Sequence, residues 1–246
     1  MNRILFESNE LLSDGTVCLT DGRAAHIRQV LKAESGQVLQ VGLLNGLAGT
    51  GLVITNSPDC VQLAVTLDTV APVPWIDLIL AVPRPKVLKR LWAQLAALGV
   101  GRIVLINAAR VEREYFATHW IQEASYRPLL IEGLVQAGTT QLPRVTIERR
   151  FRPYVEDCLD RDFPETRRLV AHPGEAAVSC ARGGEERRLL LAVGPEGGWT
   201  PFEIEMLEQQ GFSRFSLGGR TLRTDTACIA LLAVLAAQQG ASCKGV

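Results

Sequence analysis

The rhythm of apolar and polar positions changes once along the 246-residue chain, near residue 72. Before that point the apolar runs are short and bounded by turns. Val38 to Leu43 and Gly51 to Ile54 flank Asn45-Gly46, a strong hairpin signal. Val61, Leu63, Val65 and Leu67 recur at every second position, as on a strand with one buried face. A helix from Asp21 to Leu31, followed by a Ser35-Gly36 turn, interrupts the strands. A small β-barrel with one helix accounts for residues 1–71, and Pro72 and Pro74 mark the boundary with a second domain, residues 72–246.

From Ile76 the pattern alternates strand with helix. Ile76 to Val82 reads as a strand. Lys86 to Leu98 reads as an amphipathic helix with Val87, Leu88, Leu91, Trp92 and Leu95 on one stripe, capped by Gly99. Arg102 to Ile106 is the next strand, and helical signal returns from Thr118 to Ala137, broken or bent at Pro128. Leu169 to Ala171 and Leu189 to Val193 are short, wholly apolar runs, as expected of strands buried on both faces. Thr200-Pro201-Phe202-Glu203 carries a capping box, and Ile229 to Ala237 is a nearly uniform apolar helix. This alternation predicts a mostly parallel sheet with helices on both faces.

Composition narrows the class. The hydrophobic fraction, 47%, is that of a globular protein. No stretch reaches the length of a membrane span, and the first residues lack a signal-peptide core. Cysteines 18, 60, 158, 180, 228 and 243 form no Cys-x-x-Cys pair, and three scattered histidines give no metal-ligand spacing. Reduced thiols in a cytoplasmic, metal-free protein follow. Net charge is zero, but residues 1–70 hold four Lys/Arg against seven Asp/Glu, a balance of −3, so the remainder carries +3. Arg84/Lys86/Lys89/Arg90 and Arg149/Arg150/Arg152 are local basic clusters, each equally readable as a solvated rim.

The chemistry concentrates in the last quarter. Val193-Gly194-Pro195-Glu196-Gly197-Gly198 and Leu217-Gly218-Gly219-Arg220-Thr221-Leu222-Arg223 both follow short apolar runs and precede helices. Glycine at a strand's carboxyl end lets the backbone approach a ligand, and open α/β sheets bind ligands at that edge. Neither loop is a P-loop or a Gly-x-Gly-x-x-Gly motif. Taken alone, the first divides evenly between a cofactor loop and a tight strand-to-helix turn. Arg220, Arg223 and Asp225 can hold an anion, or can tie down a helix terminus. His172, in Ala171-His172-Pro173, is readable as a base or as a turn-ordering residue.

Strand–His172-Pro173, then Gly194-Pro195-Glu196-Gly197-Gly198 with Glu203, then Leu217-Gly218-Gly219-Arg220-x-Leu222-Arg223-Thr224-Asp225-Thr226-Ala227, in this order, resembles the RsmE family. These are S-adenosylmethionine-dependent methyltransferases of the SPOUT class that act on N3 of a uridine in small-subunit ribosomal RNA. His26 to Lys32 with Gly36 to Leu39 is similar to the family's PUA-like barrel, and Arg110 matches an arginine following a strand. The resemblance implies an α/β SPOUT domain with a trefoil knot behind a PUA-like barrel that positions RNA. It also implies a homodimer and a ribosomal RNA or small-subunit partner. It places cofactor binding at His172, Pro173, Gly194, Pro195, Gly197, Gly198, Leu217, Gly218, Gly219 and Leu222. It places RNA contact at Arg28, Arg84, Lys86 and Arg110. Arg223 or Arg220 would stabilise charge on the uracil, with Glu196 or Asp225 as proton acceptor or arginine-orienting group. Departures are Val135 and Thr139 in place of the family's Glu and Arg, Asp225 for Glu, and Gly219 for a common proline. They keep two alternatives open: methylation of another RNA site, and a non-catalytic RNA-binding module.

Overall fold

In the computed structural model, which describes residues 3–174 and 188–242, the chain divides into two compact units. Residues 1–73 with 131–142 form one, and residues 74–130 with 143–246 form the other. Cys180 and Cys243 lie outside the described residues.

The first unit contains β1 (Ile4–Phe6), β2 (Thr16–Leu19), α1 (Gly22–Gln29), β3 (Val38–Leu43), β4 (Ala48–Asn56) and β5 (Val61–Thr69). Their order in the sheet is β1-β3-β4-β5-β2, antiparallel except for the β1–β3 pair. Phe6 from one edge strand, Val17 and Leu19 from the other, and Ile27 of α1 all bury in one core with Val41, Val53 and Leu63. The sheet therefore curls around that core. Asn45 takes φ +59 at the predicted hairpin tip, where Gly46 N–H donates to the Leu43 carbonyl at 2.9 Å. Residues 131–142 join this unit through the same tip. The Thr140 hydroxyl donates to the Gly46 carbonyl at 2.6 Å, and Leu142 N–H donates to the Asn45 side chain at 2.9 Å.

The second unit begins with β6 (Ile76–Ala81), buried at every position, and α2 (Pro85–Ala97), whose Leu88, Leu91, Trp92 and Leu95 are fully buried. Gly99, at φ +80, ends the helix as predicted and leads into β7 (Val100–Ile106). The helix expected from Thr118 starts later. Two 3-10 turns, Arg113–Ala117 and His119–Ile121, precede α3 (Glu123–Ala137), which runs on through Pro128. β8 (Arg144–Glu148), α4 (Phe151–Asp157) and α5 (Leu159–Asp162) follow, none of them legible in the hydrophobic pattern. No residue of β8 is fully buried, because it closes the edge of the sheet. Then come β9 (Arg167–Ala171), β10 (Leu189–Val193), α6 (Pro201–Gln209), β11 (Ser213–Phe215) and α7 (Thr224–Ser242).

The sheet order β11-β9-β10-β6-β7-β8 is parallel at every pairing. All six strands thus end on one edge, and every glycine-rich loop of interest leaves from it. Asp77 of β6 is fully buried at the opposite, amino end, where Arg188 pairs with it at 2.5 Å and Arg102 of β7 approaches its other oxygen at 3.7 Å.

Candidate active site

Where β9, β10 and β11 end, their following loops enclose a cavity of about 360 Å³, within the range of small-molecule sites. Its wall comes entirely from the second unit. His172 and Pro173 leave β9, Gly194 to Trp199 leave β10, and Phe215 to Gly218 leave β11. Arg220, Leu222 and the first two turns of α7 complete it.

The β10 loop is a tight turn in which Gly198 N–H donates to the Pro195 carbonyl at 2.8 Å and Gly198 takes φ +72. Gly194 is glycine for a different reason. A Cβ there would sit 3.2 Å from the indole and backbone nitrogen of Trp199, tighter than an ordinary contact, so any side chain would have to push Trp199 back by a few tenths of an ångström. Trp199, which sequence reading passes over, is buried and packs against Phe151, with ring centroids 5.6 Å apart and the planes tilted by 46°. The β11 loop is held by Ser216, whose hydroxyl exchanges 3.1 Å hydrogen bonds with the N–H and carbonyl of Gly218.

A third strand end reaches the same place. Arg110, after β7, donates to the Gly197 carbonyl at 2.5 Å. One residue earlier, Ala109 N–H donates to the buried carboxylate of Glu203 at 2.7 Å. The other Glu203 oxygen accepts from the Thr200 N–H and hydroxyl, at 2.8 and 2.9 Å, completing the predicted capping box. The capping box was legible from spacing. The second bond was not, because it crosses 94 residues.

The two candidate carboxylates differ. Glu196 lines the cavity, and its Oε1 accepts from the Arg84 N–H at 3.0 Å, leaving Oε2 without a partner among the described residues. Asp225 lies outside the cavity wall. One oxygen pairs with Arg90 of α2 at 2.5 Å, and the other accepts the Thr226 N–H at 3.0 Å. Arg220 is in the wall and Arg223 just beyond it; neither guanidinium has a partner among the described residues. Gly219, expected at the cofactor, also falls outside the wall. Arg84 and Lys86 are exposed at the start of α2, whereas Arg28 donates to the Ser57 carbonyl at 2.9 Å within the first unit. Among the described residues no cluster of His, Cys, Asp and Glu is arranged to hold a metal ion, and no helix is long and apolar enough to cross a membrane.

The profile of an RNA methyltransferase domain family matches residues 70–236. Over 250 residues the chain is 31% identical to ribosomal RNA small subunit methyltransferase E of Treponema pallidum, covering 96% of this chain and 91% of that one. The chain belongs to this methyltransferase family. A second relative, methyltransferase E 1 of Borreliella burgdorferi, is 24% identical across 97% of this chain and 98% of its own. Among solved structures, the family's enzyme from Neisseria gonorrhoeae, described as bound to S-adenosyl methionine, superposes with a TM-score of 0.75. It is 24% identical, with 96% of this chain and 98% of that one covered. At that identity the superposition speaks for the fold, a curled, barrel-like sheet followed in the chain by a SPOUT-type parallel α/β unit.

Proposed function

We propose that this chain methylates N3 of a uridine in small-subunit ribosomal RNA, using S-adenosylmethionine held in the cavity at the ends of β9, β10 and β11. The cavity itself carries the reading, with its floor of bare backbone at Gly194 against Trp199. It has the volume and the uncovered peptide groups that a nucleoside needs. The wall residues among those expected at the cofactor are His172, Pro173, Gly194, Pro195, Gly197, Gly198, Leu217, Gly218 and Leu222. When bound, S-adenosylmethionine supplies a methyl group on a positively charged sulfur, activated for displacement.

The residues of the chain then have two tasks, alignment and proton management. A uracil N3 carries a proton at neutral pH and must lose it to become a nucleophile. Glu196 is the better-placed acceptor, since one oxygen is anchored on the Arg84 N–H and the other is free among the described residues. Asp225, with both oxygens engaged, instead fixes the start of α7 against Arg90. Charge left on the uracil carbonyls falls to Arg223 or Arg220, whose guanidinium groups are uncommitted.

The first unit positions RNA by its shape and phosphates, the chain forms a homodimer in the cytoplasm, and α7 completes a trefoil knot; these belong to the same reading. Val135 and Thr139, where the family's Glu and Arg are replaced, lie in the segment clasping the 45–46 hairpin and not in the cavity wall. Titration calorimetry with S-adenosylmethionine, followed by mass mapping of methylated nucleotides in a deletion strain, tests the proposal. Binding with loss of one small-subunit methyluridine supports it. Loss of a methyl group elsewhere moves the activity to another RNA site, and absence of cofactor binding leaves a binding module.

A further inference from the structure

The cavity uses only half of the sheet's carboxyl edge, and the other half, where β6, β7 and β8 end, has a different character. Cations and half-exposed aromatic rings alternate there. The Arg84 guanidinium, at the end of β6, meets the Tyr115 hydroxyl. Arg149, at the end of β8, lies over the ring of Phe116 at 5.4 Å. Lys89 of α2 lies over Trp120 at 4.7 Å, and Trp120 packs on His119 with centroids 4.2 Å apart.

These pairs are built, not incidental. The fully buried Trp92 donates its indole N–H to the Trp120 carbonyl at 3.0 Å, so α2 holds the segment carrying the rings. The Asn107 side chain donates to the Arg149 carbonyl at 3.3 Å, tying the ends of β7 and β8 together. Lys86, Arg113, Arg149 and Arg150 have no acidic partner among the described residues, against Glu112 and Glu114 as the acids of the segment. A cation lodged over a ring keeps its N–H donors for a phosphate. The ring itself offers a surface that every nucleobase can stack on.

The near side of this strip adjoins the cavity loop. The Arg84 N–H is held by Glu196, and Arg110, three residues before Arg113, is bonded to Gly197. From β10 to β8 is three strand spacings, about 14 Å, the reach of a few extended nucleotides.

We infer that the strip formed by Tyr115, Phe116 and Trp120 with Arg84, Lys89 and Arg149 binds single-stranded RNA flanking the nucleotide presented to the cavity. This rests on the methyltransferase reading only for what the RNA is delivered to. Single strands are specified because a duplex hides the base faces that the rings would stack on. A base presented for chemistry must in any case leave its stack. The strip therefore adds a sequence-tolerant grip along the strand beside the reacting nucleotide.

The test is fluorescence anisotropy of a labelled uridine-rich single-stranded RNA decamer, with the duplex of the same length alongside. Tyr115→Leu and Phe116→Leu should each weaken single-strand binding about 10-fold, while Tyr115→Phe, which keeps the ring, should stay within about twofold of wild type by the same stacking argument. Lys89→Gln with Arg149→Gln, both at exposed positions, should lower the slope of log affinity against log salt by about 1–2. S-adenosylmethionine affinity, read by calorimetry on the same samples, should not move. The inference is overturned if all variants bind the single strand as wild type does, or if the duplex binds as tightly. If wild type binds no S-adenosylmethionine while the strip variants still lose RNA, the strip stands and the methyltransferase reading falls.

Discussion

The Ala109 N–H and the Glu203 carboxylate, 2.7 Å apart, join the loop after β7 to the first turn of α6. Through that bond a helix cap becomes a support for the active site, because Arg110 next door holds the Gly197 carbonyl. Glu203→Ala would take the acceptor from the Ala109 and Thr200 N–H groups, both only part-buried, at roughly 1 kcal/mol each. The expected outcome is a lower melting temperature together with at least 10-fold weaker S-adenosylmethionine binding by calorimetry (~1.4 kcal/mol). Glu203→Gln, which keeps an acceptor for one of the two donors, should fall between Ala and wild type.

Gly218 and Gly219 are neighbours with different obligations. Gly218 takes φ +106, a conformation that side chains rarely adopt, whereas Gly219 has an ordinary φ and open space around its Cβ position. Gly218→Ala should cost about 1–3 kcal/mol of backbone strain and distort the turn held by Ser216. A rise of about 10-fold in the cofactor Kd, following from that strain, would be measured by calorimetry. Gly219→Ala should leave the Kd within about twofold, since neither strain nor collision arises there.

Much of this site could be read from sequence, for physical reasons that also mark the boundary. The β10 run Leu189 to Val193 and the Thr200–Glu203 capping box were visible because short-range rules govern them: continuous burial and an N–H satisfied three residues away. β8 was not, since an edge strand lacks full burial and Val145 and Ile147 alone make a weak alternation. Arg90–Asp225 and Glu196–Arg84 were equally hidden, because each is a contact across more than 100 residues, set by sheet order rather than by local pattern. Those contacts give the two carboxylates different surroundings, one oxygen of Glu196 engaged and both of Asp225.

Asp77 shows what a charge inside a buried strand requires. Arg188 neutralises it, with Arg102 at longer range, and Gly101 makes the room for Arg188, since a Cβ on Gly101 would overlap the Arg188 guanidinium and press on Pro74. Gly101→Ala should therefore separate the pair. The loss should be about 2–3 kcal/mol in denaturant unfolding, below the full cost of stripping a buried ion pair because Arg188 reaches solvent. Gly99→Ala is the contrasting case, with strain from φ +80 and only a side-chain contact with Trp75.

Acid should act on the first unit through Arg23. Its guanidinium bonds Glu10 and Asp21, and those bonds hold both carboxyl groups below their ordinary pKa. A carboxyl depressed in the folded state stabilises the fold above its unfolded pKa and loses that contribution as pH falls through the folded one. The wild-type urea midpoint should thus decline as pH drops from the ordinary carboxylate range towards the depressed values. Arg23→Gln should start lower and show a shallower acid limb, since the largest cause of both depressions is gone and only the backbone N–H bonds to Glu10 and Asp21 remain.

The proton acceptor can be decided by comparing two isosteric changes. Glu196→Gln keeps an oxygen for the Arg84 N–H, so the loop is retained while the basic oxygen is lost. If Glu196 takes the N3 proton, kcat should fall by about 10²–10⁴-fold, the usual share of a positioned base, with cofactor Kd unchanged. Asp225→Asn instead loosens the pairing with Arg90 at the start of α7, and there kcat should change by less than about 10-fold, with the loss appearing in thermal stability as for an ion pair whose arginine is exposed and whose carboxylate is mostly covered. Arg223→Ala belongs to the same series, with kcat lost and Kd kept if its guanidinium meets the uracil oxygens; equal loss of both would make it structural. Raising the pH separates base loss from misplacement. As the solution becomes basic enough to deprotonate N3 without help, the Glu196→Gln rate should climb towards wild type, whereas a variant that misplaces the uracil should stay slow at every pH.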